Sequence, residues 1–183
     1  MNKRNIFLVG LMGAGKTTIG RQLARNLGCE FFDSDHEIER RTGADIPWIF
    51  DIEGEQGFRE RERAVIDDLS QRRGIILATG GGVVLDARNR RHLAARGLVV
   101  YLRASVKRLL LRTEKDRNRP LLQTADPGQR LQQLYDERDP LYREIADIIV
   151  DTDNRNVSNS VKLIIRQFKK LEPDVGGRTD GKP

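Results

Sequence analysis

Residues 10–17 read Gly-Leu-Met-Gly-Ala-Gly-Lys-Thr, directly after the apolar run Ile6–Val9 and directly before a segment with helical spacing. The stretch matches in full the glycine-rich pattern that cradles phosphates, and it lies between a strand and a helix, as that role requires. Its glycines let the backbone adopt turns that other residues resist, so that successive amides point inward at phosphate oxygens. The helix that follows adds the positive end of its dipole. In this pattern Lys16 reaches the β- and γ-phosphates as a mobile point charge, the Thr17 hydroxyl suits magnesium, and Thr18 is placed to donate to the α-phosphate. A glycine-rich turn that merely joins strand to helix leaves the lysine and threonine at the helix start unexplained.

Short apolar runs recur at Ile6–Val9, Glu30–Asp33, Ile75–Ala78, Leu98–Leu102 and Asp147–Val150, each followed by a segment with helical spacing. Strands alternating with helices imply an α/β fold whose parallel sheet is covered on both faces. Helices are expected over Lys16–Leu27, Asp35–Arg41, Gly54–Gln71, Asp86–Ala95, Ser105–Thr113, Pro127–Ile145 and Val157–Leu171. In the first, Ile19, Leu23 and Leu27 share a face and Gly28 can end the helix. Two stretches read as insertions. Residues 44–58 carry Trp48, Phe50 and Phe58 in a segment expected to be short and irregular, suited to a wall over a small substrate. Residues 114–124 gather Lys115, Arg117 and Arg119 before Pro120, as a mobile basic lid would.

A chain of 183 residues suits one domain, expected over residues 1–171, and residues 172–183 are polar, rich in glycine and proline and expected to be disordered. The hydrophobic share of 38% omits 17 glycines, which bring the total near the globular norm. No apolar run is long enough to span a bilayer, and Ile6–Gly10 is too short and too early for a signal peptide, so a cytoplasmic protein is expected. Cys29 is the single cysteine, which excludes an internal disulfide, and with His36 and His92 as the only histidines a cysteine-histidine zinc site is disfavoured. Cys29 reads as a small packing residue at a helix end. The formal charge of +6 fits either nucleic acid or small polyanions. Arginines spread along the chain, few aromatics and no nucleic-acid signature favour small anionic ligands.

The phosphate loop alone does not name a reaction. Asp51-Ile52-Glu53-Gly54 resembles the Asp-x-x-Gly of GTP switches, but it follows no clear core strand, and no Asn-Lys-x-Asp guanine reader occurs downstream. ATP is therefore the expected nucleotide. Asp33-Ser34-Asp35 ends the second strand with two carboxylates of alternating direction, at the sheet edge where the phosphate loop also lies. One could hold magnesium through water and the other take a proton or hydrogen bond from an acceptor hydroxyl; equally, Asp35 is a good cap for the helix that follows. Thr79-Gly80-Gly81-Gly82 reaches the same edge after the third strand, where absent side chains would let a ligand meet backbone amides.

Taken with the phosphate loop, Asp33-Ser34-Asp35, Gly57-Phe58-Arg59 with Glu62, Thr79-Gly80-Gly81-Gly82, Arg119-Pro120-Leu121-Leu122 and Arg138-Asp139-Pro140-Leu141-Tyr142 closely resemble the shikimate kinase family over residues 4–170. The resemblance implies a P-loop NTPase fold with a five-stranded parallel sheet ordered 2-3-1-4-5, a substrate-binding insertion at about residues 34–62 and a lid at about 114–124. It further implies transfer of the ATP γ-phosphoryl group to the 3-hydroxyl of shikimate, on the route to chorismate. By this resemblance Gly13, Ala14, Gly15, Lys16, Thr17 and Thr18 hold ATP, Thr17 ligates Mg2+, and Asp33 supports the metal through water. Asp35 would hold substrate hydroxyls and act as base. Arg59, Gly81 and Arg138 would contact shikimate, both arginines at its carboxylate. Arg119 would neutralise the transferring phosphate from the lid, and Arg112 and Arg155 would lie near adenine. A monomer acting on a small molecule, without nucleic acid or membrane, is the expected state.

The residue types suit that chemistry, since one carboxylate and three hydroxyls call for arginine forks, a carboxylate and exposed amides. A plainer role also exists for the arginines: Arg59 and Arg138 fall on expected helices where ion pairs with Glu62 or Glu137 would occupy them. Two rivals stay open. One is another small-molecule kinase of the same fold, such as a gluconate kinase, and the other is an ATP-binding regulatory module without an acceptor.

Overall fold

The computed structural model describes residues 4–114, 124 and 126–171. Strands β1 (Asn5–Val9), β2 (Glu30–Asp33), β3 (Ile75–Ala78), β4 (Gly97–Arg103) and β5 (Ile148–Asp151) form one parallel sheet in the order β2-β3-β1-β4-β5. The central strand β1 pairs Ile6 with Ile76 on one side and with Leu98 on the other. Every residue of β1 and β3 is buried, as parallel strands covered on both faces require. Because the chain turns one way from β1 to β2 and β3 and the other way to β4 and β5, the carboxyl end of β1 is a switch point. A crevice opens there in doubly wound sheets.

The helices are α1 (Lys16–Leu27), α2 (Ser34–Thr42), α3 (Ile46–Gln71), α4 (Ala87–Arg96), α5 (Val106–Thr113), α6 (Pro127–Ile145) and α7 (Val157–Leu171), with a 3-10 turn at Val83–Leu85. Helix α1 buries Ile19, Leu23 and Ala24 and stops at Gly28, whose φ of 60° is the left-handed helix end that the sequence implied. It packs against α7, which buries Val161, Ile164 and Phe168, while α3, α4 and α6 form a second group. Cys29, just past the α1 terminus, packs against the core as expected. Among the described residues no helix is long and apolar enough to cross a membrane.

One expectation is overturned in the aromatic insertion. Residues 46–53 are helical rather than irregular, and α3 runs through them to Gln71 with one break at Gly54, where φ is 70° and ψ −179°. Asp45 starts this helix by accepting from Trp48 N at 2.9 Å, and Pro47 follows in its first turn, where a missing N–H costs nothing. The break folds the first segment back, so that Phe50 and Phe58 lie 4.9 Å apart between ring centres and Arg61 binds both oxygens of Glu53. Trp48 is left about half exposed rather than closing a wall, and Asp45, Ile46 and Pro47 face the crevice instead. The Asp-x-x-Gly stretch at 51–54 therefore lies inside a helix, away from any strand end. The expected lid positions Lys115, Arg117 and Arg119 and the tail at 172–183 lie outside the described residues.

Candidate active site

At the switch point the phosphate loop wraps the start of α1. Gly10, Gly13 and Gly15 all have positive φ, of 142°, 80° and 95°, which explains glycine at each. Space is as restrictive as torsion: a Cβ on Gly10 would lie 2.5 Å from the Leu102 carbonyl oxygen of β4, and one on Gly13 would lie 2.9 Å from Thr113 Cγ2 of α5. Lys16 crosses the loop and donates from Nζ to the carbonyls of Gly10 at 2.8 Å and Leu11 at 3.0 Å. Its ammonium is thus held over the ring of loop amides, where a phosphate chain would meet it.

A crevice of about 720 Å3 opens in front of this loop. Gly13, Ala14, Gly15, Lys16, Thr17 and Thr18 line its floor, and Asp33, Asp35 and Gly81 line a second wall. Arg112 and Arg155 line the opposite end. Arg112 donates to Gly13 O at 3.2 Å, to Thr152 Oγ1 at 3.2 Å and to Thr152 O at 2.9 Å, so it ties the phosphate loop to the segment after β5. Arg155 is exposed at the rim.

Of the two carboxylates at the end of β2, the helix cap is not the one the sequence suggested. The capping residue of α2 is Asp33, not Asp35: Asp33 Oδ1 accepts from Asp35 N at 3.1 Å. Its other oxygen accepts from the Thr17 hydroxyl at 2.7 Å. Asp35 sits in the first turn of α2 rather than alternating along the strand, because the helix begins at Ser34. Ser34 is itself enlisted, accepting from Gly80 N at 2.9 Å and so docking the start of α2 onto the glycine run.

That run separates the crevice from a buried charge cluster. A Cβ on Gly80 would lie 2.7 Å from both Asp35 Oδ1 and Glu62 Oε1, and one on Gly82 would fall inside the Arg59 guanidinium. Only glycine leaves these groups room. Glu62 is 1% exposed and binds Arg59 at 2.8 Å. Burial pushes the Glu62 carboxyl up to about 7 against the pull of Arg59, with the nearby Asp35 charge adding to the rise and Arg138 opposing it. Burial works against the Arg59 charge, yet the Glu62 and Glu55 carboxylates hold that guanidinium above its ordinary range. Arg138, on α6, is 2% exposed, 3.9 Å from Glu137, and its buried Nε has no hydrogen-bond partner among the described residues.

Arg59, packed on Gly82, and Arg138 converge on one cluster: both influence Glu62 and both influence Tyr142. The ion pairs foreseen as their plainer role do form, Arg59 with the buried Glu62 and Arg138, at 3.9 Å, with the exposed Glu137. From the sequence Glu62 is foreseen only as an ion-pair partner of Arg59, and Tyr142 only as part of a motif. Their spacing from Arg59 and Arg138, three and four residues along a helix, is the signal that puts each on its arginine's face. Thr152, the anchor for Arg112, carries no such signal. Arg119 lies outside the described residues.

A phosphate loop at the switch point, carboxylates across the crevice and buried guanidinium groups behind bare backbone define an α/β P-loop phosphotransferase for a small acceptor. The shikimate kinase family profile matches residues 12–169, and the chain belongs to that family. It is 62% identical over 169 residues to a shikimate kinase of Methylococcus capsulatus, covering 92% of this chain and 94% of the relative. A shikimate kinase from Acinetobacter baumannii, solved in complex with shikimate, superposes with a TM-score of 0.91 at 52% identity, over 93% of this chain and 95% of that one. A gluconokinase from Sinorhizobium meliloti shares the fold alone, with a TM-score of 0.60 at 17% identity over 92% and 93% of the two chains.

Proposed function

We propose that this site transfers the γ-phosphoryl group of ATP to the 3-hydroxyl of shikimate, giving shikimate 3-phosphate and ADP on the route to chorismate and aromatic amino acids. The observation that carries the reading is the meeting, across one glycine run, of a phosphate loop with a cluster of Asp35, Glu62, Arg59 and Arg138. A phosphate-binding floor and a buried, arginine-rich acceptor side suit a polyanionic donor and a carboxylated, hydroxylated acceptor. Family membership at this level of identity supports the same substrate pair.

In this reading Gly13 to Thr18 hold the triphosphate and Lys16 bridges its β- and γ-groups. Asp35 takes the hydrogen bond, and then the proton, of the acceptor hydroxyl. Arg59 and Arg138 orient the acceptor carboxylate beside Gly81, and Arg119 neutralises charge on the transferring group. Arg112 and Arg155 flank the nucleoside end. The hard oxygens of Thr17 and Asp33, 2.7 Å apart, fit a magnesium ion, which takes few protein ligands and keeps phosphate and water oxygens for the rest. Magnesium bound there would neutralise the phosphate oxygens as charge develops. The protein acts as a cytoplasmic monomer on small molecules, without nucleic acid or membrane.

A coupled assay of ADP release, run with shikimate, gluconate and no acceptor, tests the reading. Shikimate-dependent release is expected. Stimulation by gluconate alone would move the chain to another acceptor class, and tight ATP binding with no stimulation by either would favour a nucleotide-binding module.

A further inference from the structure

The Thr79–Gly82 run has no side chains with which to fix itself after Thr79, yet each of its peptide groups is held. Gly80 N donates to Ser34 Oγ, Gly80 O accepts from Val83 N, and Gly82 O accepts from Leu85 N. The remaining carbonyl, Gly81 O, accepts from the hydroxyl of Tyr142 on α6. Tyr142 is fully buried, and its ring stacks on Tyr101 of β4 with centres 4.9 Å apart. Tyr101 in turn donates to Asp139 Oδ1 at 2.8 Å. The ring is therefore fixed by packing and its hydroxyl by a hydrogen bond, as a rigid strut requires.

From this arrangement we propose that Tyr142 is a positioning residue for the acceptor: its hydroxyl sets the Gly81–Gly82 peptide plane, and with it the acceptor-side wall and the seat of Arg59. The inference rests on the shikimate reading above. A peptide is planar, so fixing the Gly81 carbonyl fixes the direction of the Gly82 N–H as well. Gly82 is also where the Arg59 guanidinium packs, in space that a single methyl group would fill. Tyr142 lies one helical turn beyond Arg138, which faces it and counters the upward push of burial on its hydroxyl. One side chain thus sets the relation between the crevice-lining Gly81 and the two arginines behind it. It touches no reacting atom and acts through backbone.

Tyr142→Phe keeps the ring and its stacking and removes the strut. Loss of one buried hydrogen bond, with a carbonyl left unpaired, should raise the KM for shikimate about ten-fold. The KM for ATP should stay within about two-fold, because the phosphate loop is held by other contacts. Tyr101→Phe, which removes the hydroxyl on the other ring of the same stack, should leave both KM values near those of the parent. Amide exchange at Gly82 in the free protein should accelerate in Tyr142→Phe and not in Tyr101→Phe. If Gly82 exchange is unchanged in Tyr142→Phe, or if both KM values rise together, the positioning role is overturned. Failure of the parent itself to use shikimate would refute the substrate reading instead, with the exchange experiment still deciding whether Tyr142 holds the loop.

Discussion

Arg59 donates from Nη1 to Glu62 Oε2 at 2.8 Å, and Glu62 is buried to 1% exposure with its carboxyl raised to about 7. The sign of the resulting pH dependence follows directly. In the unfolded chain Glu62 gives up its proton near 4.5, whereas the folded protein keeps it up to about 7. Its contribution to stability is therefore present below the lower value and lost as pH rises through the higher one. Other carboxyls move the opposite way: Glu37, bound by Arg40 and Arg41, is lowered to about 2. The prediction is thus a difference, in which Glu62→Gln gains in melting temperature over the parent between pH 4.5 and 7, by on the order of 10 °C. A gap that stays constant across that range would refute it.

Lys16 is placed over the loop by contacts to two of its carbonyls. Lys16→Ala should fold, melt near the parent temperature and lose about 100-fold or more in turnover. Near-normal turnover in a well-folded variant would remove the lysine from the mechanism.

Asp35 lies next to Gly80, close to Glu62, whereas Asp33 is bound by Thr17 at the end of the phosphate loop. Asp35→Asn should therefore lower kcat by about 100-fold or more while nucleotide affinity changes less than about three-fold. A nucleotide titration weakened as much as the rate would give Asp35 to ATP instead.

Arg59→Ala and Arg138→Ala should each weaken acceptor use by about ten- to a hundred-fold, with lysine a poor substitute at either position. The two losses should not add, because both guanidinium groups act on one cluster. The measurement is a double-mutant cycle on kcat/KM for shikimate, repeated with an analogue lacking the carboxylate. If both alanine variants discriminate against the analogue as strongly as the parent does, the carboxylate is bound elsewhere.

Local signals carried much of the architecture. Apolar runs placed all five strands to within a residue or so, and the Gly28 terminus and the Pro127 start of α6 were legible from residue type. Strand order was not legible from periodicity and came from the family resemblance, since pairing of β1 with β3 and β4 is a long-range property. The helix at 46–53 was missed because Gly54, with its positive φ, interrupts the pattern, and because aromatic residues at 48, 50 and 58 suggested a loop. Asp35 looked like the cap because the helix seemed to start later; it starts at Ser34, two residues earlier than a cap at Asp35 requires, which gives the task to Asp33. Motifs named Arg59, Gly81 and Arg138, but not the burial of Glu62 or the carbonyl held by Tyr142. Those depend on three elements meeting in space.

The sheet order also bears on how the protein is made. The phosphate loop leaves the ribosome before β4 and β5, yet Gly10 is closed against Leu102 of β4, and Arg112 bridges the loop to Thr152 beyond β5. A nascent chain that has exposed the entire glycine-rich motif still lacks the walls that shape it. Nucleotide bound at the loop would therefore favour chains that already include β4 and the segment after β5 over shorter ones, by mass action on the folded form.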